Sequence, residues 1–446
     1  MRNTVVALII GVLALSACTA LPPRAATDPA ERTHTGVADG LPYTVLLPID
    51  YWKSDRRYPV LYLIQAGNGI TGRAADPHSE WLERTDLAAF TENQDVIVVL
   101  PTQAALSFYL DARDGSCRGE SQFMAGLIPR IDASYRTLAD GRKRAVAGVA
   151  PGGLSAMFLA ARHPGMFTAA ASFSGEPDVL LGADRAGGVI YTAIERAAVL
   201  SCRGDLRGPG LFGPLPVDEI WWRNSNPPDL AGNLRGLALY AKTGNGVPCD
   251  QEDLANLSVP QEGPFTQPFQ LTEPVVAQGT LGLLRALDQA GIPYRGDVDG
   301  CGMHTWRYWQ RQLHEFWPQL LAAFGTPEPE TFDYRRADAE FSVRGWTFTA
   351  DPDRAAEFLD IRSASRTGLT LTGSGLQSVT TPGNYRPGVP LRVDDGASVR
   401  EVVADAQGRL TFTVDLGPAH RLQQFVWGSD PQNAPNYFVT KTIRIG

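Results

Sequence analysis

The chain has 446 residues, a length that accommodates two or three domains. Hydrophobic residues make up 43% and charged residues 20%, which excludes a chain that is disordered over its whole length. The 40 basic and 48 acidic residues give a net charge of −8, so the chain lacks the basic excess typical of nucleic-acid binding. We therefore expect globular domains and no nucleic-acid partner.

The first 18 residues have the pattern of a bacterial lipoprotein signal peptide. Arg2 supplies a positive charge, and Val5–Leu15 is an apolar run too short to span a bilayer. The following Leu15–Cys18 resembles a lipobox, which implies cleavage before Cys18 and lipid attachment to its sulfur. An ordinary signal peptide with a chance cysteine is the alternative. We expect residues 19–35 to be a flexible linker that tethers an extracytoplasmic protein to the cell membrane.

Four cysteines follow the signal peptide: Cys117, Cys202, Cys249 and Cys301. An oxidising compartment favours disulfides, and four cysteines allow three sets of pairings. Because Cys249 and Cys301 each follow a predicted strand, we favour pairing these two, which leaves Cys117 with Cys202. Four free thiols are the alternative. The absence of a CxxC pair disfavours a zinc site, and we expect no metal.

Residues 36–326 alternate β-rich apolar runs with helical patterns. The strands are predicted at Tyr43–Leu47, Tyr58–Ile64, Asp95–Leu100, Arg144–Val149, Thr168–Phe173, Leu237–Ala241 and Tyr294–Val298. The helices are predicted at Gln122–Tyr135, Gly152–Arg162, Pro274–Gln289 and Thr305–Phe324. This alternation predicts an α/β domain with a mostly parallel sheet flanked by helices, and an active site at the carboxyl edge of the strands.

Residues 327–446 change to short strands separated by Gly, Asp and Pro turns. The strands are predicted at Phe341–Thr349, Leu369–Leu371, Leu391–Val393, Arg409–Val414 and Tyr437–Ile445. Asp405–Gly408 is predicted to be a hairpin turn. The pattern indicates a small all-β, sandwich-like domain. It either packs on the first domain as an accessory or binds an envelope glycan.

The sequence Gly148-Val149-Ala150-Pro151-Gly152 has the frame of a nucleophile elbow, in which a serine occupies a sharp strand-to-helix turn. Ala150 stands in the serine position and has no oxygen with which to attack a carbonyl. Pro151 follows and has no N–H, whereas the N–H at this position normally helps to bind the oxyanion. Both features predict loss of catalysis. The alternative is a plain βα turn that never carried a nucleophile.

Several short segments occur in the order and spacing of a known family. They are Ser107-Phe108-Tyr109, Phe212-Gly213-Pro214, Trp222-Arg223-Asn224, Gly244–Pro248 and His304–Trp309. With the elbow they resemble the esterase-D group of α/β-hydrolases, and most of all its mycolyltransferase branch, the mycobacterial antigen 85 proteins. This resemblance implies an α/β-hydrolase fold and the chemistry of a serine esterase or acyltransferase.

The resemblance makes His304 the base of a catalytic triad. The family places a glutamate on the helix before the last strand, which corresponds here to Gln278–Thr280, where no carboxylate lies. Glu273 is the nearest candidate for the acid, and Asp250, after the preceding strand, is the other. We expect this departure to be a third defect of the catalytic machinery.

The first oxyanion turn of the family corresponds to a loop that contains Gly67 and Asn68, whose backbone could still present an N–H. Three serines are candidates for a relocated nucleophile: Ser107, Ser155 and Ser174. Neither the helix position of Ser155 nor the loop positions of Ser107 and Ser174 provide the strained turn that presents a nucleophile.

Two functions are consistent with these observations, and both need no cofactor. The first is a catalytically inactive lipoprotein that binds a glycan, a glycolipid or a partner enzyme at the cell envelope, since a pocket can outlast its nucleophile. The second is an active acyltransferase or carboxylic-ester hydrolase with an atypical mechanism. A scaffold whose β domain contacts a partner protein is a third alternative.

Overall fold

A computed structural model of the chain describes residues 32–65, 79–102, 108–181, 200, 202–203, 210–256, 272–426 and 437–446. The predicted signal peptide and Cys18 lie outside these residues. Among the helices within them, none is both long enough and apolar enough to cross a bilayer.

The first domain is built on a seven-stranded sheet with the order β1-β2-β4-β3-β5-β6-β7. Its strands are β1 (Thr33–Ala38), β2 (Leu41–Leu46), β3 (Val60–Ile64), β4 (Ile97–Pro101), β5 (Arg144–Val149), β6 (Ala169–Phe173) and β7 (Ala238–Lys242). The first two strands are antiparallel to their neighbours, and the other five run parallel. All residues of β3 to β6 are buried, as expected for apolar runs covered on both faces.

Helices cover both faces of this sheet. They are α1 (Glu80–Arg84), α2 (Leu87–Phe90), α3 (Gly119–Ser121), α4 (Ile128–Ser134), α5 (Pro151–Arg162), α6 (Glu219–Arg223), α7 (Gln251–Asn256), α8 (Glu273–Ala290) and α9 (Trp306–Ala323). A π-helical turn, Gln122–Leu127, joins α3 to α4. One core contains Tyr62, Phe123 and Phe158, and the other contains Trp81 and Phe316. The predicted α/β class is confirmed.

Two predictions for this domain need correction. β1 begins at Thr33, inside the predicted linker, and pairs along its whole length with β2. The segment Tyr294–Val298 is not a continuous strand but makes isolated parallel bridges to β7 and its end. Gly296 interrupts it with a φ of +120°, and a Cβ there would lie 1.9 Å from the carbonyl oxygen of Ala241. The chain can therefore approach β7 closely only with glycine at this point.

The C-terminal domain consists of two antiparallel sheets. The four-stranded sheet has the order β16-β13-β10-β9, and the six-stranded sheet has the order β15-β14-β17-β12-β11-β8. The strands are β8 (Phe332–Arg336), β9 (Glu340–Val343), β10 (Trp346–Ala350), β11 (Leu359–Ser365), β12 (Gly368–Gly373), β13 (Leu376–Thr380), β14 (Pro390–Asp394), β15 (Val399–Val403), β16 (Thr411–Asp415) and β17 (Val439–Ile445). One apolar cluster of buried residues draws on both sheets, which confirms the all-β prediction.

Two details of this domain differ from the prediction. Phe341–Thr349 is not one strand but the β9–β10 hairpin, which reverses at Arg344 and Gly345, both with positive φ. The turn at Asp405–Gly408 is tight, with the Asp405 N–H donating to the Arg409 carbonyl at 2.9 Å. It does not close a hairpin, because β15 pairs with β14 whereas β16 pairs with β13.

The two domains are joined through polar contacts at the carboxyl end of α5. The Tyr334 hydroxyl donates to the Arg162 carbonyl at 2.8 Å. The Asp338 carboxylate accepts hydrogen bonds from Arg162 at 3.1 Å and from Asn224 at 2.9 Å. Tyr334, Arg162 and Asn224 are all buried, so these contacts are part of a shared interior.

The two disulfides are those favoured from the sequence. Cys117 pairs with Cys202, and Cys249 pairs with Cys301, with Cα–Cα distances of 5.5 and 5.2 Å. The second bridge connects the loop after β7 to the segment immediately before His304.

Candidate active site at the strand-to-helix turn

Ala150 occupies a sharp turn between β5 and α5. Its φ and ψ angles are 52° and −123°, a conformation that residues with a side chain seldom adopt. The turn is held from both sides: the Ala150 N–H donates to the Phe173 carbonyl at 3.0 Å, and the Ala150 carbonyl accepts from the Gly153 N–H at 2.8 Å. Ala150 is 3% exposed. This is the backbone geometry that presents a nucleophile in an elbow.

The glycines around the turn are required by close backbone contacts. A Cβ at Gly148 would lie 2.1 Å from the Gly152 carbonyl oxygen. A Cβ at Gly152 would lie 2.9 Å from the carbonyl oxygens of Ile64 and Gln65. The frame of the elbow is therefore complete, while residue 150 carries only a methyl group.

Pro151 is the first residue of α5. Proline suits this position because its fixed φ fits the first turn of a helix. It has no N–H, so the residue after the elbow position offers no hydrogen bond to an anion. The turn thus has the backbone conformation of a nucleophile elbow. It lacks the nucleophile hydroxyl at residue 150 and the oxyanion-binding N–H at residue 151.

His304 and Glu273 form a buried pair at the same edge of the sheet. The His304 Nδ1–H donates to Glu273 Oε2 at 2.6 Å, and the two side chains are 4% and 0% exposed. The imidazole also packs edge-on against Trp309, with the ring centroids 4.9 Å apart. Such a carboxylate fixes the tautomer and orientation of a histidine base.

The other oxygen of Glu273 accepts three further hydrogen bonds. The donors are the Ser174 hydroxyl at 2.8 Å, the Thr243 hydroxyl at 2.7 Å and the Gly244 N–H at 2.7 Å. Burial by itself raises the pKa of Glu273, but the hydrogen bonds from His304, Thr243 and Ser174 outweigh it and lower that pKa below its ordinary value. Glu273 is therefore held as a carboxylate.

The expectation of a third defect at the acid is wrong. Glu273 begins α8 and reaches His304 from there, so the carboxylate comes from the first residue of the helix rather than from the family position near 278–280. Asp250 does not contact His304. It lies on the surface in an ion pair with Arg307.

Ser174 and Thr243, which hold Glu273, were not recognised from the sequence as its partners. Each directly follows a strand of the parallel sheet, β6 or β7, and this position at the carboxyl edge was the available signal. Ser155 is buried in α5, where its hydroxyl donates to the Pro151 carbonyl at 2.9 Å. Both Ser155 and Ser174 thus have structural hydrogen bonds.

Three residues of the sequence-based site lie outside the described residues: Gly67, Asn68 and Ser107. Within the described ranges, His, Cys, Asp and Glu side chains form no group of three or more that could hold a metal ion. The described site therefore consists of a positive-φ elbow without a nucleophile and a formed His–Glu pair.

Fold and elbow together define the α/β-hydrolase class, and comparisons with known proteins give the family. Residues 39–320, more than half of the chain, match the family model "Putative esterase". The chain belongs to this esterase family.

Two similar proteins come from mycobacteria. Esterase Rv1288 of Mycobacterium tuberculosis is 29% identical over 254 residues, which are 56% of this chain and 49% of the relative. The chain thus spans about half the length of that esterase. The diacylglycerol acyltransferase/mycolyltransferase Ag85B of Mycobacterium intracellulare is 27% identical over 280 residues, covering 60% of this chain and 76% of the relative.

Among solved structures, Mycobacterium tuberculosis MPT51 (FbpC1) is similar in fold. It matches with a TM-score of 0.50 and 20% identity, covering 66% of this chain and all of MPT51. The likeness supports the fold of the first domain.

Proposed function

We propose that this chain is a non-catalytic member of the esterase family that binds an acylated glycolipid or glycan at the cell envelope. The observation that carries the proposal is the elbow at Ala150 and Pro151. The backbone keeps the strained turn, but the residue there has no hydroxyl and the next residue has no N–H. An acyl-enzyme cannot form on a methyl group.

The names of the relatives indicate the class of ligand. Ag85B is named a diacylglycerol acyltransferase/mycolyltransferase, so its substrates carry acyl chains. The hydrolase frame and the His304–Glu273 pair are retained here. A fold can keep a binding role after losing the bond-making group, because binding and bond-making use different residues.

The proposed location follows from the sequence alone. The lipobox-like Leu15–Cys18 favours a lipid anchor on the outer side of the cell membrane. Expression of the full chain in an actinobacterium, followed by membrane fractionation, tests it. We expect the chain in the membrane fraction and a Cys18→Ala variant to lose the lipid by mass spectrometry. A natural chain without lipid would refute the anchor.

Hydrolysis of p-nitrophenyl esters by purified residues 19–446 tests the absence of catalysis. We expect no turnover by the natural chain and measurable turnover by the double variant Ala150→Ser/Pro151→Met. Adding His304→Ala to the double variant is the control and should abolish that turnover. Binding is tested separately by titration with a fluorescent diacylated glycolipid, for which we expect saturation.

A second candidate function is favoured by the formed His304–Glu273 pair. A histidine oriented by a carboxylate can activate water directly, which would make the chain an ester hydrolase or acyltransferase of atypical mechanism. Ester hydrolysis by the natural chain that disappears in His304→Ala would establish this candidate and refute the non-catalytic proposal.

A further inference from the structure

A cavity of about 430 Å³ lies where the two domains meet. Both domains contribute walls: Phe158 and Arg162 from α5, Trp221 from α6, and Arg336 and Asp338 from the end of β8 and the segment after it. Phe158 is the cavity residue of α5 that is nearest to Ala150 along the chain, so roughly 12 Å of helix separates the cavity from the elbow. The volume lies within the range of small-molecule sites.

The charged groups that line the cavity are mostly paired. Three are cationic and three anionic: Arg113, Arg162, Arg336, Asp111, Glu120 and Asp338. Arg162 forms a bidentate pair with Glu120, at 3.1 and 3.2 Å, and also binds Asp338. Arg336 binds Asp338 at 2.6 Å, Arg113 pairs with Asp218 at 2.6 Å, and Asp111 accepts a hydrogen bond from the Ser121 N–H at 3.0 Å. An anionic ligand would therefore find each of these three arginines already paired, which makes its burial costly.

Burial raises the pKa of Glu120, but the Arg162 guanidinium and the hydrogen bond from His163 outweigh it, and its pKa is held below the ordinary range. The carboxylates therefore remain acceptors, while the guanidinium groups can only donate. A neutral ligand that suits both must carry groups that donate and accept. Hydroxyl groups do both.

The remaining wall of the cavity is aromatic and contains an unsatisfied donor. Phe158, Phe212 and Trp221 line it. The Trp221 indole Nε1–H is buried and has no hydrogen-bond partner. Because this nitrogen has almost no accessible surface, a molecule in the cavity would contact the half-buried indole ring rather than its N–H. Phe158 and Phe212 are 1% and 5% exposed and lie behind the wall, so the Trp221 ring is the aromatic surface available to the C–H face of such a molecule.

We propose that this interdomain cavity binds a neutral sugar of mono- or disaccharide size, independently of the elbow at Ala150. Hydroxyls would donate to Glu120 and Asp338 and accept from Arg336, while the sugar ring would pack against the Trp221 indole ring.

Isothermal titration calorimetry of residues 19–446 tests the proposal with glucose, mannose, galactose, arabinose and maltose, and with sodium phosphate and acetate as charged probes. We expect at least one sugar to bind and neither anion to do so. Trp221→Ala removes the indole ring from the wall, and should weaken sugar binding about fivefold. Ala125→Trp places a large side chain into the cavity from its exposed wall, and should abolish binding.

Trp52→Ala is the matched control, since Trp52 is 38% exposed and does not line the cavity. It should bind the sugar as the natural chain does. Thermal unfolding followed by circular dichroism establishes that each variant is folded, and Trp221→Ala decides the question if Ala125→Trp is not. Absence of binding by every sugar, unchanged affinity in Trp221→Ala, or tighter binding of an anion would each overturn the proposal. The measurement does not involve the elbow at Ala150, so its outcome is separate from that of the proposed function.

Discussion

Two adjacent residues, Ala150 and Pro151, account for the proposed loss of catalysis in different ways. The first removes the attacking oxygen, and the second removes an amide that would stabilise the negative charge in the transition state. The turn itself is intact, since Gly148 and Gly152 allow the backbone contacts that it needs. The two effects can therefore be separated by mutagenesis.

Ala150→Ser alone should hydrolyse p-nitrophenyl esters only slowly, because the oxyanion lacks the N–H of residue 151. Adding Pro151→Met should raise kcat by a further factor of about 10² to 10³, the typical contribution of one oxyanion donor. Steady-state kinetics of the single and double variants checks this. Equal rates in the two variants would show that the amide of residue 151 plays no part.

Glu273 is a buried carboxylate with four hydrogen-bond donors around it. Glu273→Gln places an amide group against these donors and should reduce the free energy of unfolding at pH 7 by about 2–3 kcal/mol, as measured by urea denaturation. Asp250→Asn is the control. Because Asp250 is a surface residue paired with Arg307, its replacement should leave the unfolding midpoint unchanged.

The effect of Glu273→Gln should depend on pH. The folded-state pKa of Glu273 is lowered, so its stabilising contribution is fully present above the unfolded-state pKa, about 4.3, and is lost as the pH falls through the folded value. The difference between natural and variant chains should therefore shrink from pH 5 towards pH 3. A constant difference over this range would contradict the assignment of Glu273 as an ionised group.

At the scale of elements, the junction of β5 and α5 is a close backbone contact that only glycine permits. Gly148→Ala brings a Cβ to 2.1 Å from the Gly152 carbonyl oxygen, so the strand or the helix must move. We expect a loss of about 3 kcal/mol in the free energy of unfolding, measured by urea denaturation. Gly300→Ala is the matched control: a Cβ there meets nothing within 4 Å, and stability should be nearly unchanged.

The elements that the sequence predicts best are those buried on both faces, since a continuous apolar run such as β4 or β5 has one straightforward interpretation. The sequence-based prediction was wrong where the backbone conformation of one or two residues determines where a strand ends. Phe341–Thr349 looks like one strand because its side chains suit a sheet, but Arg344 and Gly345 adopt positive φ and reverse the chain. Local composition does not determine which sheet the strands beside Asp405–Gly408 join, since that depends on distant partners.

At the candidate active site, too, the features set by local sequence could be predicted and those set by distant contacts could not. The elbow could be predicted because its residues are contiguous. The acid is harder to predict, because Glu273 reaches His304 from the first residue of α8 and its position depends on how that helix packs. The cavity between the domains could not be predicted, since its walls come from segments separated by more than 200 residues, from Asp111 to Asp338.

At the scale of the whole molecule, an ion pair between Arg162 and Asp338 joins the two domains. Glu120 neutralises Arg162, whose side chain is 9% exposed and which also binds Asp338 beyond the domain boundary. Glu120→Gln leaves Arg162 with less compensation and should reduce the free energy of unfolding by about 3 kcal/mol. Urea denaturation followed by tryptophan fluorescence checks this. An unchanged midpoint would mean that Asp338 alone satisfies Arg162.

The pair Ala150–Pro151 also bears on the evolutionary history of the proposed loss of catalysis. A mutation that restored serine at position 150 would meet an oxyanion site without its amide, and a mutation that replaced Pro151 would improve a site without a nucleophile. Either change alone would restore little esterase activity, so natural selection would favour it only weakly. Reversion would require both at once, so a lineage that acquired the two substitutions tends to keep the fold for other purposes rather than return to ester chemistry.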